Sequence, residues 1–241
     1  MELLEFQDFS VYYKVKRDAY FPALDKLNLS IAQGDFVTVV GPSGCGKTTL
    51  LKSILGSCQW TSGRLLFHGM EIGDARLGRE NIGYVAQDYN LYPSMTVYEN
   101  IAHPLRVMHT DLKEIDARVK QIAARLDISP IQTRKPRQIS GGQHKRVSIA
   151  RALIKNPGLL LFDEPFAELE PRLREKLRTL VKQLHEEYRT TIIFVTHDLE
   201  EAVELAGKIL VLNHGQAEEY GTKEEIMEHP KSELLRGFFM P

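Results

Sequence analysis

The chain has 241 residues, 43% hydrophobic and 26% charged, which is enough for one α/β domain or for a core with a smaller inserted subdomain. A net charge of −1 offers no basic field for nucleic acid, and no run approaches the ~18 apolar residues that a membrane-spanning helix needs. The N-terminus lacks the basic and apolar segments of a signal peptide, and Cys45 and Cys58 form neither a disulfide framework nor a metal-ligand pattern. The expectation is a cytoplasmic protein that reaches a membrane only through a partner.

In chain order, Phe6, Phe9, Val11 and Tyr13, and then Leu27, Leu29 and Ile31, alternate as antiparallel strands do. Phe36-Val37-Thr38-Val39-Val40 is a β-branched apolar run ended by Gly41, a buried strand. From about Tyr89 to Asn156 the pattern is helical, with Ile115, Val119, Ile122 and Leu126 at helical spacing and no convincing strand. Leu159–Phe162, Thr191–Val195 and Ile209–Leu212 are further strand candidates, and Leu173, Leu177, Leu180, Val181 and Leu184 make a helix between two of them. Continuous apolar runs predict strands covered on both faces, hence a parallel sheet flanked by helices. No internal repeat or low-complexity linker interrupts the chain.

Gly41-Pro42-Ser43-Gly44-Cys45-Gly46-Lys47-Thr48, followed by Thr49, fits G-x-x-x-x-G-K-[ST] between a predicted strand and a predicted helix. Glycines let the backbone turn its N–H groups toward an anion, and the helix adds its positive end. Lys47 is expected to reach the β- and γ-phosphates of ATP, and the Thr48 hydroxyl to ligate Mg²⁺. A glycine-rich turn that merely joined strand to helix would need neither side chain. Cys45 is read as a small loop residue. Leu159–Phe162 ends in Asp163 and Glu164: the first carboxylate would hold Mg²⁺ through water, and the second would polarise the attacking water. Ser140-Gly141-Gly142-Gln143 opens a helical run through Val147, Ile149, Ala150, Leu153 and Ile154, with Ser140 as its cap and glycines that let a phosphate approach.

These segments resemble the ATP-binding-cassette family. The resemblance runs from about Leu4 to Pro230 and rests on Gly41–Thr48, Gln87 after Tyr84-Val85-Ala86, Ser140–Gln143, Asp163-Glu164 and His197 in Thr196-His197-Asp198, all in the family's order. It implies a P-loop NTPase core with a parallel sheet (1–88 and 157–241), an N-terminal antiparallel β-subdomain and an inserted α-helical subdomain (89–156). It also implies a head-to-tail dimer, of identical or closely related subunits, with two buried ATPs. Each would be held by the phosphate loop of one copy and Ser140–Gln143 of the other. Gln87 matches the residue that contacts Mg²⁺ and the attacking water, and His197 the switch histidine at the γ-phosphate. An aromatic near the N-terminus stacks on adenine in this family; Tyr13 aligns best, with Tyr12 and Tyr20 competing.

Three positions depart from the family pattern: Glu170 stands where an aspartate is usual, Ile139 precedes the signature in place of leucine, and Gly56-Ser57-Cys58 replaces a more usual Ala-Gly-Leu. The segment Leu91–Val97 resembles sugar importers, which usually carry a further C-terminal domain not read here. Asp163–Phe166 and Thr196–Ala202 look more like importers of nitrate, sulfonate, iron or polyamines. The resemblance implies an import ATPase on the inner face of the membrane, with integral-membrane permease subunits, an extracytoplasmic solute-binding protein and no nucleic acid. An exporter or lipid-transport ATPase would keep every nucleotide residue; a soluble, non-transport ATPase and a nonhydrolysing structural cassette are further readings, the last opposed by an intact Glu164. Tyr89, Leu91, Tyr92, Pro93 and Met95, apolar and aromatic, are expected to border a groove for a helix of the membrane subunit.

Overall fold

The computed structural model describes residues 1–16, 19–72, 82–88, 90–167 and 169–239. Its contacts divide the chain into two units, 1–80 with 182–241, and 81–181.

The first unit holds two groups of strands. β1 (Glu2–Lys16) and β2 (Ala19–Ala32) form a long antiparallel hairpin, extended through β4 (Ser62–Phe67) and β5 (Met70–Glu71) in the order β2-β1-β4-β5. This is the antiparallel layer that the N-terminal alternation predicted. β3 (Phe36–Val40) is buried at all five residues and lies parallel to β8 (Thr191–Val195) on one side and β9 (Lys208–Asn213) on the other. Its side chains are covered on both faces, which explains a run of β-branched residues without alternation. β10 (Gln216–Thr222) returns antiparallel on β9 through His214 and Gly215, both at positive φ, the backbone that a two-residue hairpin turn requires. α1 (Lys47–Ile54) follows β3; α6 (Leu199–Leu205), α7 (Lys223–Glu228) and α8 (Glu233–Phe239) complete the unit. Leu235 of α8 is packed with Val40, Ala202, Ile209, Val211 and Ile226 in one apolar cluster.

The second unit pairs β6 (Ile82–Val85) with β7 (Leu159–Asp163) in parallel, Ile82 opposite Leu159 and Val85 opposite Phe162. Between them in sequence lie α2 (Val97–Val107), α3 (Leu112–Arg125) and α4 (Gly141–Leu153). Each starts at a capping side chain: Thr96 and Ser140 form reciprocal capping boxes with Glu99 and Gln143, and Asp111 accepts from the Lys113 N–H. Val97, Ile101 and Leu105 of α2 and Ile115, Val119 and Ile122 of α3 are buried at the spacing of one helical face. α5 (Pro171–Tyr188) carries the chain past the division between the units.

The helical unit thus runs wider than the 89–156 read from sequence. β7 and the start of α5 group with the helices because β7 is laddered to β6, a four-residue strand interrupted by Gly83 and not recognisable as a strand by itself.

Candidate functional site

In the first unit the loop after β3 is shaped by its glycines. Gly41 has φ 153° and Gly46 has φ 112°. A Cβ on Gly41 would stand 2.0 Å from the Leu212 carbonyl oxygen, and one on Gly46 would stand 2.2 Å from the Ala23 carbonyl oxygen. Only a residue without a side chain lets the loop lie this close to β9 and β2. Gly46 caps α1, whose first turn carries no acidic side chain. Lys47 is buried and folds back along the loop, donating from Nζ to the carbonyl oxygens of Gly41 (2.7 Å) and Pro42 (3.0 Å). Pro42, Ser43, Gly44 and Thr48 are exposed, whereas Thr49 is buried and its carbonyl accepts the Ser53 hydroxyl at 2.8 Å. Burial pushes the Cys45 thiol up, as befits a packed loop residue.

His197 leaves the same edge of the sheet. β3 and β8 are parallel with Val39 opposite Val195, so Gly41 and His197 emerge side by side at the strands' C-terminal ends, where open α/β sheets bind ligands. The histidine is exposed and its backbone is held on both sides. The Thr196 N–H donates to the Val39 carbonyl (3.2 Å), the Thr196 hydroxyl donates to Glu201 Oε2 (2.6 Å), and the Asp198 N–H donates to that hydroxyl (3.1 Å). Thr196 and Glu201 carry no motif of their own and were not singled out from sequence.

The adenine candidates separate on the hairpin. Tyr12 is tied down, its hydroxyl donating to Asp25 Oδ1 at 2.6 Å. Tyr13 is 40% exposed and stands opposite Phe21, 48% exposed, while Tyr20 stands opposite Lys14 on the other face. Phe21 was not anticipated, because pairing across a hairpin depends on its register.

In the second unit β6 and β7 end together and deliver Gln87, Asp163 and Glu164 to one edge. Gln87 is exposed, Asp163 is 6% exposed and Glu164 is half-buried. Glu164 adopts φ 44°, a left-handed conformation that non-glycine residues seldom take and that turns the chain sharply off the strand. The Tyr84 hydroxyl donates to Asp163 Oδ2 at 3.2 Å; burial and that carboxylate hold the Tyr84 phenol well above its ordinary value. The sequence marks Tyr84 only as part of the run before Gln87, because its contact with Asp163 depends on the pairing of β6 with β7. Among the described residues no cluster of three or more His, Cys, Asp or Glu could hold a metal alone.

Ser140–Gln143 form the first turn of α4. Ser140 Oγ accepts from the Gln143 N–H (3.3 Å), and Gln143 Oε1 accepts from the Ser140 N–H (3.0 Å). Ser140 and Gly141 are exposed; Gly142 is buried, and a Cβ there would meet Leu173 Cδ2 at 2.5 Å. Further along α4, Lys145 donates to the Gln87 carbonyl (3.3 Å) and Arg151 to the Asn90 carbonyl (2.6 Å). Burial holds the Lys145 ammonium down to about 8 and lowers the Arg151 guanidinium, with Asp88 opposing the first shift.

A cleft of about 530 Å³ in this unit is lined by Tyr84, Leu91, Tyr92, His103, Arg151 and neighbours. Asn100, wholly buried, knits its rim by accepting from the Tyr92 N–H (2.7 Å) and donating to the carbonyls of Tyr92, Met95 and Thr96. Tyr92 is 42% exposed and Pro93 exposed; Leu91 and Met95 are half-buried, and Tyr89 lies outside the described residues.

Residues 24–167 match the family model described as ABC transporter, and residues 132–204 match a model of an AAA domain. The chain is 42% identical over 227 residues to the sulfate/thiosulfate import ATP-binding protein CysA of Pectobacterium atrosepticum, covering 92% of this chain and 69% of that one. It is 43% identical over 217 residues to the sn-glycerol-3-phosphate import ATP-binding protein UgpC 3 of Rhizobium etli, covering 90% and 62%. The chain therefore spans 62–69% of the length of these relatives. Among solved structures, the dimeric post-hydrolysis state of the ATP-binding cassette MJ0796 bound to ADP and Pi is similar at a TM-score of 0.83 and 32% identity, over 92% of this chain and 99% of that one.

Proposed function

The chain belongs to the ABC transporter family of ATP-binding proteins, and from that premise we propose that it binds MgATP at Gly41–Thr48 and hydrolyses it as the nucleotide-binding subunit of an import system. The observation that carries the reading is the loop itself: Gly41 and Gly46 packed where no Cβ fits, a buried lysine along its inner side and a helix start free of acidic residues. These are the parts of a triphosphate cradle.

In this reading Lys47 exchanges its contacts with the loop carbonyls for the terminal phosphates. Thr48 and Gln87 would hold magnesium directly and Asp163 would hold it through water: hydroxyl and amide oxygens suit that hard cation when phosphate oxygens and water complete the shell. When bound, magnesium neutralises charge on the β- and γ-oxygens. Glu164 orients and polarises the attacking water from a left-handed backbone just past the end of β7. His197 contacts the γ-phosphate, and Tyr13, with Phe21 opposite, offers an exposed ring for adenine. Ser140–Gln143 act on the ATP of a second copy, so ATP joins two subunits and hydrolysis loosens them.

Permease subunits hold the protein at the inner face of the membrane, and the 530 Å³ cleft beside α2 and α4 receives a helix from them. No helix among the described residues is long and apolar enough to cross a membrane. A solute-binding protein outside the membrane supplies the cargo. The relatives named above are import proteins, which supports import over export.

The test is Glu164→Gln. Nucleotide binding should persist, turnover should fall by roughly 10²–10⁴-fold, and an ATP-bound dimer should elute by size-exclusion chromatography. Turnover near that of the parent would remove Glu164 from catalysis. Co-expression with the permease should give a membrane complex whose ATPase rises with loaded binding protein; full activity with no membrane partner would refute the transport reading.

A further inference from the structure

The residues on both sides of His197 are bonded to one buried acid that the roles above do not use. Glu201 lies in the first turn of α6 and is 3% exposed. Its Oε2 accepts the Thr196 hydroxyl at 2.6 Å, and its N–H donates to Asp198 Oδ1 at 3.1 Å. Thr196, itself 2% exposed, accepts the Asp198 N–H on the same hydroxyl oxygen at 3.1 Å. That hydroxyl therefore closes a turn across His197, from one residue to the amide two positions on. The 2.6 Å contact has the length of a hydroxyl donating to a carboxylate, about 2.5–2.7 Å.

Other helix starts in the chain show what is different here. At α2, α4 and α7 the third helical residue, Glu99, Gln143 or Glu225, reaches straight back to the N–H of the capping residue. At α6 the cap is Asp198 and the third residue is Glu201, so the same closed box was open to it. Instead the carboxylate grips the Thr196 hydroxyl, and the hydroxyl takes the Asp198 N–H. A direct box would serve the helix start alone. The relay also holds the residue before His197, at the expense of keeping a carboxylate out of water. The turn is further fixed to β3: the Thr196 N–H donates to the Val39 carbonyl at 3.2 Å, and the Thr38 hydroxyl donates to the Ala202 carbonyl of α6 at 3.3 Å.

We propose that Glu201 and Thr196 are positioning residues for His197, their carboxylate–hydroxyl–amide relay fixing the 196–198 backbone and with it the place of the imidazole at the sheet edge. The inference rests on the γ-phosphate role given to His197 above. The relay governs turnover, whereas capture of the nucleotide belongs to the Gly41–Thr48 loop.

The experiment uses the full chain with Thr196→Ser, which keeps the hydroxyl, and with Thr196→Val combined with Glu201→Met, which removes both partners and roughly keeps their volume. Replacing both members of a buried pair by apolar groups of like shape can leave stability nearly unchanged. The double variant should therefore melt close to the parent, yet its kcat should fall at least about tenfold with KM and ATP affinity held within about twofold. Thr196→Ser should keep kcat within about threefold of the parent. Without nucleotide, amide exchange at Asp198 should quicken at least about tenfold in the double variant while the β3 and β8 amides keep parental rates. In a His197→Ala background the double variant should slow turnover no further, because the relay acts through that side chain. Parental kcat or unchanged Asp198 exchange in the double variant would overturn the proposal, and so would a further fall in kcat in the His197→Ala background. Should the double variant not fold, Thr196→Val alone gives the same exchange and kinetic readouts. Parental turnover in His197→Ala would instead refute the γ-phosphate role, and the exchange at Asp198 would still decide whether the relay holds the turn.

Discussion

Replacing Gly46 with alanine tests the cradle most sharply, because the cost can be worked from geometry. Gly46 sits at φ 112° and ψ 1°, where an L side chain is strained by roughly 1–3 kcal/mol. The added methyl would also lie 2.2 Å from the Ala23 carbonyl oxygen, so the loop or β2 must shift, at a further cost of about 1–3 kcal/mol for overpacking. A total near 4 kcal/mol corresponds to a loss of about 8–16 °C in melting temperature for a chain of this size. Because the shift moves the N–H groups meant for phosphate, losing one charge-assisted hydrogen bond would weaken nucleotide binding by about ten- to a hundredfold. Gly44→Ala is the internal control: φ is 79° but nothing lies within 4 Å of the new methyl. It should cost only about 1–2 kcal/mol of backbone strain and leave binding within a few fold. Thermal melting and titration with a fluorescent ATP analogue compare the two variants directly. Equal behaviour would refute the claim that close approach to β2, beyond backbone freedom alone, makes Gly46 necessary.

Lys47→Ala removes both the phosphate-seeking cation and its bonds to the Gly41 and Pro42 carbonyls, and should weaken ATP binding at least about thirtyfold; an unchanged titration would dismiss the assignment. Ser140→Arg should leave the variant's own nucleotide affinity intact while halting hydrolysis, and mixed dimers with Lys47→Ala should show that the lost site lies across the interface. Gly142→Ala should lower the melting temperature as well as turnover, since its methyl meets Leu173 at 2.5 Å; turnover lost at unchanged stability would contradict that packing. Lys145, held down to about 8 by burial against an ordinary 10.5, binds fewer protons folded than unfolded between those values. Its penalty is therefore full below pH 8 and fades as pH rises toward 10.5, so stability should rise through that window relative to Lys145→Gln in nucleotide-free protein. Parallel curves for the two proteins would show that the lysine does not titrate there.

Local pattern determined much of this protein. The run Phe36–Val40, the glycines and Lys47 after it, the carboxylates after Leu159–Phe162 and the Ser140–Gln143 cap each combine a chain-local propensity with a chemistry that short sequence can express. Their order carried the family resemblance, and the family model matches residues 24–167. The antiparallel opening was equally legible, since alternation follows directly from a half-buried sheet.

What the sequence could not decide depends on which segments meet. Ile82–Val85 became a strand because Leu159–Phe162 lies beside it, and that pairing drew the boundary of the helical unit. Tyr84 meets the Asp163 carboxylate only because β6 and β7 are neighbours, and Phe21 faces Tyr13 only through the register of the hairpin. Gly142, legible as an opening for phosphate, is also required by Leu173, thirty-one positions away. No local pattern marked Lys145 and Arg151; the packed structure sets them on the carbonyls of Gln87 and Asn90. Propensity and motif act over a few residues, whereas burial, strand pairing and hydrogen-bond partners are set by the free energy of the whole assembled chain.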